Sequence, residues 1–293
     1  MSNPMHYVAF FLVSLFWGCS FFAIGVAVQH YPPVFAAFLR VLIAHFFITS
    51  YLLLKNGKIE KSPYWKQLVG TGLFLMGIPW IFLFWGEKHI TPALASILNA
   101  TVPIFTIILS PLITPNVKQG KNQWLGVLLG FLGILVIFLP QINHHVAREI
   151  KGMLALVIMA FCYAIGILWL KRLSHHVRNS VSLYYQSLAG LIFLLLYFLF
   201  MEAPHSTITW SLPGFLAIFY LGFFSTFISW LLFFKLQKEI GTLQAAANSY
   251  CIPLFALTID YFFWQKWVTP EQIAGVVIIF LGIFLINKRT RQI

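Results

Sequence analysis

Along this chain, apolar residues come in runs of roughly 20, the length that crosses a bilayer as a helix, and the breaks between runs are short. The runs predict spans at Tyr7–Val28, Val34–Leu54, Leu68–Gly86, Ala93–Ile113, Trp124–Leu139, Gly152–Leu170, Ser182–Phe200, Gly214–Phe234, Thr242–Phe263 and Ile273–Ile286. The first run has no basic stretch ahead of it and no small-residue cleavage site, so it is expected to stay as the first helix. Polar positions inside the runs are few and sit in telling places. Leu98-Asn99-Ala100-Thr101-Val102-Pro103 returns 150 residues later as Asn248-Ser249-Tyr250-Cys251-Ile252-Pro253. Each proline, Pro103 and Pro253, frees the carbonyl four residues back, on Asn99 and Ser249. Free carbonyls at membrane depth are tolerated where protein buries them or a wet cavity meets them. Breaks at matching places in two halves therefore point to a binding site.

The repeat shows again in the fifth and tenth spans. Gln123, Gly126, Val127, Phe131, Leu132, Gly133 and Ile134 are identical to Gln272, Gly275, Val276, Phe280, Leu281, Gly282 and Ile283, all at an offset of 149. Glycines at this spacing let helices approach closely, so the pair is expected to form a packing scaffold beside the pathway. Trp17 aligns with Tyr163, and Arg40 with Gln186. Five spans followed by five more make the repeat inverted. The expected organisation is a first five-helix unit over 1–139, a non-cytoplasmic linker over 140–151, and a second unit over 152–293 with a short basic tail.

Composition agrees and adds orientation. The 293 residues are 60% hydrophobic and only 9% charged, far below the quarter usual in soluble proteins. The net charge of +12 does not call for nucleic acid, because the charges are sorted by side. With a cytoplasmic N-terminus, fourteen Lys and Arg fall inside (Lys55, Lys58, Lys61, Lys66, Lys118, Lys121, Lys171, Arg172, Arg178, Lys235, Lys238, Lys288, Arg289, Arg291). Four fall outside: Lys88, Arg148, Lys151 and Lys266. The positive-inside rule then puts both termini in the cytoplasm. Cys19, Cys162 and Cys251 lie within spans without metal or redox spacing, and read as buried small residues. No metal or other cofactor is expected.

On these residues the chain resembles the EamA branch of the drug/metabolite transporter superfamily. The resemblance rests on Phe16-Trp17-Gly18-Cys19-Ser20-Phe21, on Arg40, on the Ala-rich fourth span ending its first half at Pro103, and on the Gln-x-x-Gly…Phe-Leu-Gly close of each half. It implies ten helices, cytoplasmic termini and outward movement of small metabolites, often amino acids. It also implies a cavity lined by spans one, three, four, six, eight and nine. Where many such relatives carry a glutamate past the fourth and ninth spans, this chain has Val117 and Lys266.

Candidate chemistry follows from polar residues at depth. Arg40, about six residues below the outer surface, must face protein or water. It is placed to hold a substrate carboxylate, or to pair with Asp260 or Glu87. His45 could titrate near physiological pH and relay a proton; the alternative is a neutral histidine bonded to a neighbouring helix. With no carboxylate near the midplane of any span, proton coupling would have to use His45, Asp260 or Glu87, and a facilitative carrier is simpler.

Asn99, Thr101, Ser249, Asn248, Gln186 and Ser20 are candidate polar anchors, with interhelical hydrogen bonding as the plainer role. Trp17, Tyr163, Trp80, Tyr250, Tyr184, Tyr185 and Trp230 offer aromatic surface for a pocket, or equally for packing. Pro79, which frees Leu75, is a candidate hinge or static kink. The expected function is a secondary carrier of the inner membrane, exporting an amino acid or related zwitterion by alternating access. A carrier of choline or another quaternary amine is the alternative, drawn from the aromatic wall. A non-transporting scaffold or an intramembrane enzyme is remote, since no nucleophile with its base stands in the spans. The partners expected are the substrate and the bilayer; a monomer suffices, and a homodimer is compatible.

Overall fold

The computed structural model describes residues 4–115, 119–138, 147–203, 208–255, 258 and 270–287. Within them the chain is helical and contains no strand. Seven helices are long and apolar enough to cross a membrane. They are α1 (Pro4–His30), α2 (Pro33–Asn56), α3 (Trp65–Glu87), α4 (Pro92–Ile113), α6 (Ala147–Leu173), α7 (Asn179–Glu202) and α8 (Leu212–Ile240). Two apolar helices are shorter, α5 (Lys121–Phe138) and α10 (Pro270–Asn287). The remaining stretch, α9, runs over 242–255 and is interrupted.

Turn chemistry sets the helix boundaries. Pro33 opens α2 in the first turn, where a missing N–H costs nothing. Gly57 closes α2 in a left-handed conformation at φ 67°, its N–H bonding to the Leu53 carbonyl. Thr91 and Ser211 cap α4 and α8 through their hydroxyls, which accept from Leu94 N and Gly214 N. Glu202, at the end of α7, accepts from the backbone N–H of Val34 at 3.0 Å and of Phe35 at 2.9 Å. A carboxylate is thus bound to the first turn of α2, where the helix dipole favours negative charge.

Side chains are distributed inside out. Leu54, Leu112 and Phe200 are at least 74% exposed, whereas Ser96, Ser110, Ser187 and Ser225 have no exposed surface. That arrangement suits a hydrocarbon surround: lipid takes the apolar faces, and buried hydroxyls bond within the bundle. Helices α5 and α10 lie against each other through bare backbone. A Cβ on Gly126 would stand 2.6 Å from the Gly282 carbonyl oxygen, and one on Gly133 would stand 2.7 Å from that of Gly275. The sequence expectation of a close-packed scaffold is met here, and neither helix reaches the central cavity.

Candidate functional site

Four helices, α3, α4, α8 and α9, are interrupted within their length. In α4 the backbone steps through i→i+3 bonds, Ala100 N to Ile97 O at 3.0 Å and Thr101 N to Leu98 O at 3.1 Å, before the helix resumes at Val102. Among the described backbone bonds none ends on the Asn99 carbonyl, as Pro103 requires. In α9 the residues Ala247–Tyr250 form a 3₁₀ turn, and helix resumes over 252–255 beside Pro253. The other two are π-turns, Leu73–Gly77 in α3 and Phe223–Ile228 in α8. Their starts are 150 residues apart, the spacing of Asn99 and Ser249. Pro79 follows the first π-turn at the start of the next helical segment, so the kink expected at Leu75 takes the form of one wide turn. Such turns insert a residue and re-aim the side chains beyond them.

The breaks in α4 and α9 border a cavity, with about 560 Å³ of space not filled by protein, open solvent included. Its walls come from α1, α3, α4, α6, α8 and α9 and, beyond the expected set, from α2 through Arg40. Trp17, Tyr163 and Trp230 form an aromatic side, with Trp17 and Tyr163 ring centroids 5.2 and 6.2 Å from that of Trp230. Phe233 extends it, 5.2 Å from Trp17. The polar lining is Ser20, Arg40, Asn99, Asn248 and Ser249.

Arg40 is the charged member and is 3% exposed. Its Nε donates to Thr226 Oγ1 at 2.8 Å and its Nη2 to Ser225 Oγ at 3.0 Å. The guanidinium carbon sits 4.2 Å above the Trp80 ring. A desolvated cation over tryptophan is worth about 2 kcal/mol, and hydrogen bonds to a charged group about 1.5–3 kcal/mol each. These contacts offset part of the burial cost. Nη1 is buried without a hydrogen-bond partner. Asn248, with no exposed surface, likewise leaves both side-chain amide atoms unbonded.

Arg40 makes no ion pair with Glu87. Glu87 lies off the cavity, buried, with neither carboxylate oxygen hydrogen-bonded. Asp260 lies outside the described residues. The partners Arg40 does use, Ser225 and Thr226, were not singled out in the sequence. The available signal was two adjacent hydroxyls amid Phe223, Phe224 and Phe227. Ser225 also serves α1, its carbonyl accepting from Trp17 Nε1 at 2.9 Å.

The other candidates are placed elsewhere. Trp80 does not line the cavity; it supports Arg40 and donates its indole N–H to the Tyr163 hydroxyl. Thr101 bonds back to the Leu98 carbonyl at 2.6 Å. Tyr250 turns toward α5, where its hydroxyl donates to the Val127 carbonyl at 2.9 Å and its ring lies against Gly130. In a 3₁₀ turn successive residues point about 120° apart, so Asn248 and Tyr250 face different ways. Gln186 donates to Thr71 Oγ1 at 3.0 Å between α7 and α3. His45 meets Ser187 Oγ at 2.9 Å between α2 and α7, the interhelical role weighed against proton relay.

A wider recess of about 1470 Å³, open space included, lies where α1 passes into α2; His30, Lys88, His89 and Glu202 are on its walls.

The EamA-like transporter family profile matches residues 5–139 and 150–288. The chain belongs to that family. Protein PagO of Salmonella typhimurium is 29% identical over 95% of this chain and 91% of its own length. A protein from the same organism named a probable amino-acid metabolite efflux pump is 28% identical, over 94% and 92%. The uncharacterized inner membrane transporter YedA of Escherichia coli K12 is 25% identical, over 86% and 80%. A solved crystal structure 19% identical to this EamA-like chain superposes with a TM-score of 0.79, covering 98% of this chain and 99% of its own. That last likeness extends to the fold.

Proposed function

We propose that this membrane protein is a ten-helix secondary carrier of the inner membrane, built as two inverted five-helix units with both termini cytoplasmic, that exports a small carboxylate-bearing metabolite. Amino acids and their relatives are the first class to test, a reading the name of one relative supports. The observation that carries it is Arg40, buried on the cavity wall with one guanidinium nitrogen free. A carboxylate is the ligand that such a nitrogen pairs with best. The breaks in α4 and α9 line the cavity, so the two units can rock about it by bending where the backbone is already irregular. The fourteen-to-four sorting of Lys and Arg supports this orientation.

The test is counterflow in proteoliposomes loaded with an amino-acid panel. Alanine at both Asn99 and Ser249 lowers transport about thirtyfold, the loss of two contacts to the substrate at about 1 kcal/mol each, with expression unchanged. Normal transport by the double variant defeats the site assignment. The aromatic side supports the second reading, a quaternary amine held by ring faces. Arg40 in the same cavity opposes it, and inhibition by choline but not by amino acids would decide for it.

A further inference from the structure

Resting on that reading, the side chains around the cavity say which end of an amino acid they would recognise. Arg40 is held rigidly by Thr226, Ser225 and the face of Trp80, leaving Nη1 as its one unpaired nitrogen. Among the described residues no carboxylate joins it on the cavity wall. Glu87 lies off the wall. Glu202, in the recess by α2, has both oxygens occupied by the amides of Val34 and Phe35. A ligand ammonium entering the cavity would lose its water and find neutral oxygens and a nearby guanidinium. An ammonium buried without an opposite charge is costly.

The remaining features describe the rest of the ligand. Trp17, Tyr163 and Trp230 offer ring faces and edges to a flat apolar body. Asn248 holds an unpartnered donor and an unpartnered acceptor in the wall of the same cavity. We propose that the site selects small organic carboxylates that lack an ammonium group and carry an aromatic or flat apolar body with a hydroxyl or carbonyl at the far end: Arg40 takes the carboxylate and Asn248 the far polar group.

Three probes share one skeleton and differ in charge: 3-(4-hydroxyphenyl)propionate, tyrosine and tyramine. Affinities for the purified full chain are read from ligand-dependent shifts in melting temperature. The propionate is expected to bind about tenfold tighter than tyrosine, the cost of a poorly paired ammonium, and tyramine not at all. Arg40→Gln abolishes propionate binding. Asn248→Leu weakens the hydroxylated propionate about tenfold but leaves 3-phenylpropionate within twofold, a difference that isolates the far contact even if the arginine variant fails to fold. Tyrosine binding as tightly as the propionate would sink this inference and leave an amino-acid carrier standing. Tyramine binding tightest would overturn the carboxylate reading as well. Equal loss of both propionates in Asn248→Leu would remove Asn248 from its role, and no shift with any of the three probes would overturn the proposed class.

Discussion

Two regions of the bundle use the same backbone device to different ends. In one, Gly222 of α8 lets that helix settle against α2, where an added Cβ would meet Ile43 Cβ at 2.5 Å and the Arg40 carbonyl oxygen at 3.0 Å. The π-turn that follows brings Ser225 and Thr226 to the Arg40 side chain. In the other, Gly72 of α3 lets that helix settle against α7, where a Cβ would meet Gln186 Cα at 2.6 Å. A π-turn follows there too, and Gln186 reaches the hydroxyl of Thr71. The tryptophans beyond the turns, Trp230 and Trp80, are again 150 residues apart and contact Trp17 and Tyr163 respectively. Glycine, wide turn, tryptophan and hydroxyl partner are common to both. The residue received is arginine in one case and glutamine in the other, and only the arginine lines the cavity. The same support thus occurs twice in the chain, and one side chain gives one of the two a charge to use.

Breaking the difference should have the largest effect. Arg40→Gln makes the two regions chemically alike, and transport is expected to fall about hundredfold, the ~3 kcal/mol typical of removing one partner of a buried charged contact. Retained counterflow would show the arginine to be structural. Gly222→Ala comes next. It overpacks α8 against α2 at a cost of about 1–3 kcal/mol, lowering both melting temperature and transport because Arg40 shares the contact. Gly72→Ala should cost similar stability and spare transport; equal transport losses from the two would erase the contrast. Gln186→Leu removes one buried hydrogen bond together with an unsatisfied oxygen, a change of about 1 kcal/mol or less, and transport stays within twofold. Smallest of all is His45→Gln, which leaves the pH profile of transport between about 6 and 8 unmoved, since the ring sits between α2 and α7. A shifted profile would restore His45 as a proton relay.

How much of this was readable beforehand depended on whether covalent structure or three-dimensional placement set the feature. Pro103 and Pro253 lack an N–H whatever surrounds them, so the breaks beside Asn99 and Ser249 could be located from the chain alone. The glycines shared by α5 and α10 were legible for the same reason. Arg40 was recognisable as a cation that hydrocarbon would not accept, but its partners were expected to be carboxylates. The π-turn at Phe223–Ile228 supplies two hydroxyls in their place, and no periodicity of 3.6 foretells which faces a turn of different width will present. Tyr250 offers aromatic surface for a pocket or for packing, and the 3₁₀ geometry turns it to α5. Trp80, fully buried, holds Arg40 from behind, a role that depends on the packing of α2 on α3.

The meeting of α5 and α10 through bare backbone carries a consequence for variation. Where side chains interlock, a residue can be exchanged for a smaller or a larger one and neighbours adjust in either direction. Gly126, Gly133 and Gly282 have nothing left to trim, with carbonyl oxygens or amide nitrogens 2.6–2.7 Å from where a first carbon would go. Tolerance along this seam is one-sided: every exchange adds bulk and pushes the whole helix away. A saturation library should therefore show a sharp stripe of intolerance on one face of each helix, and free exchange of apolar residues on the face turned to lipid.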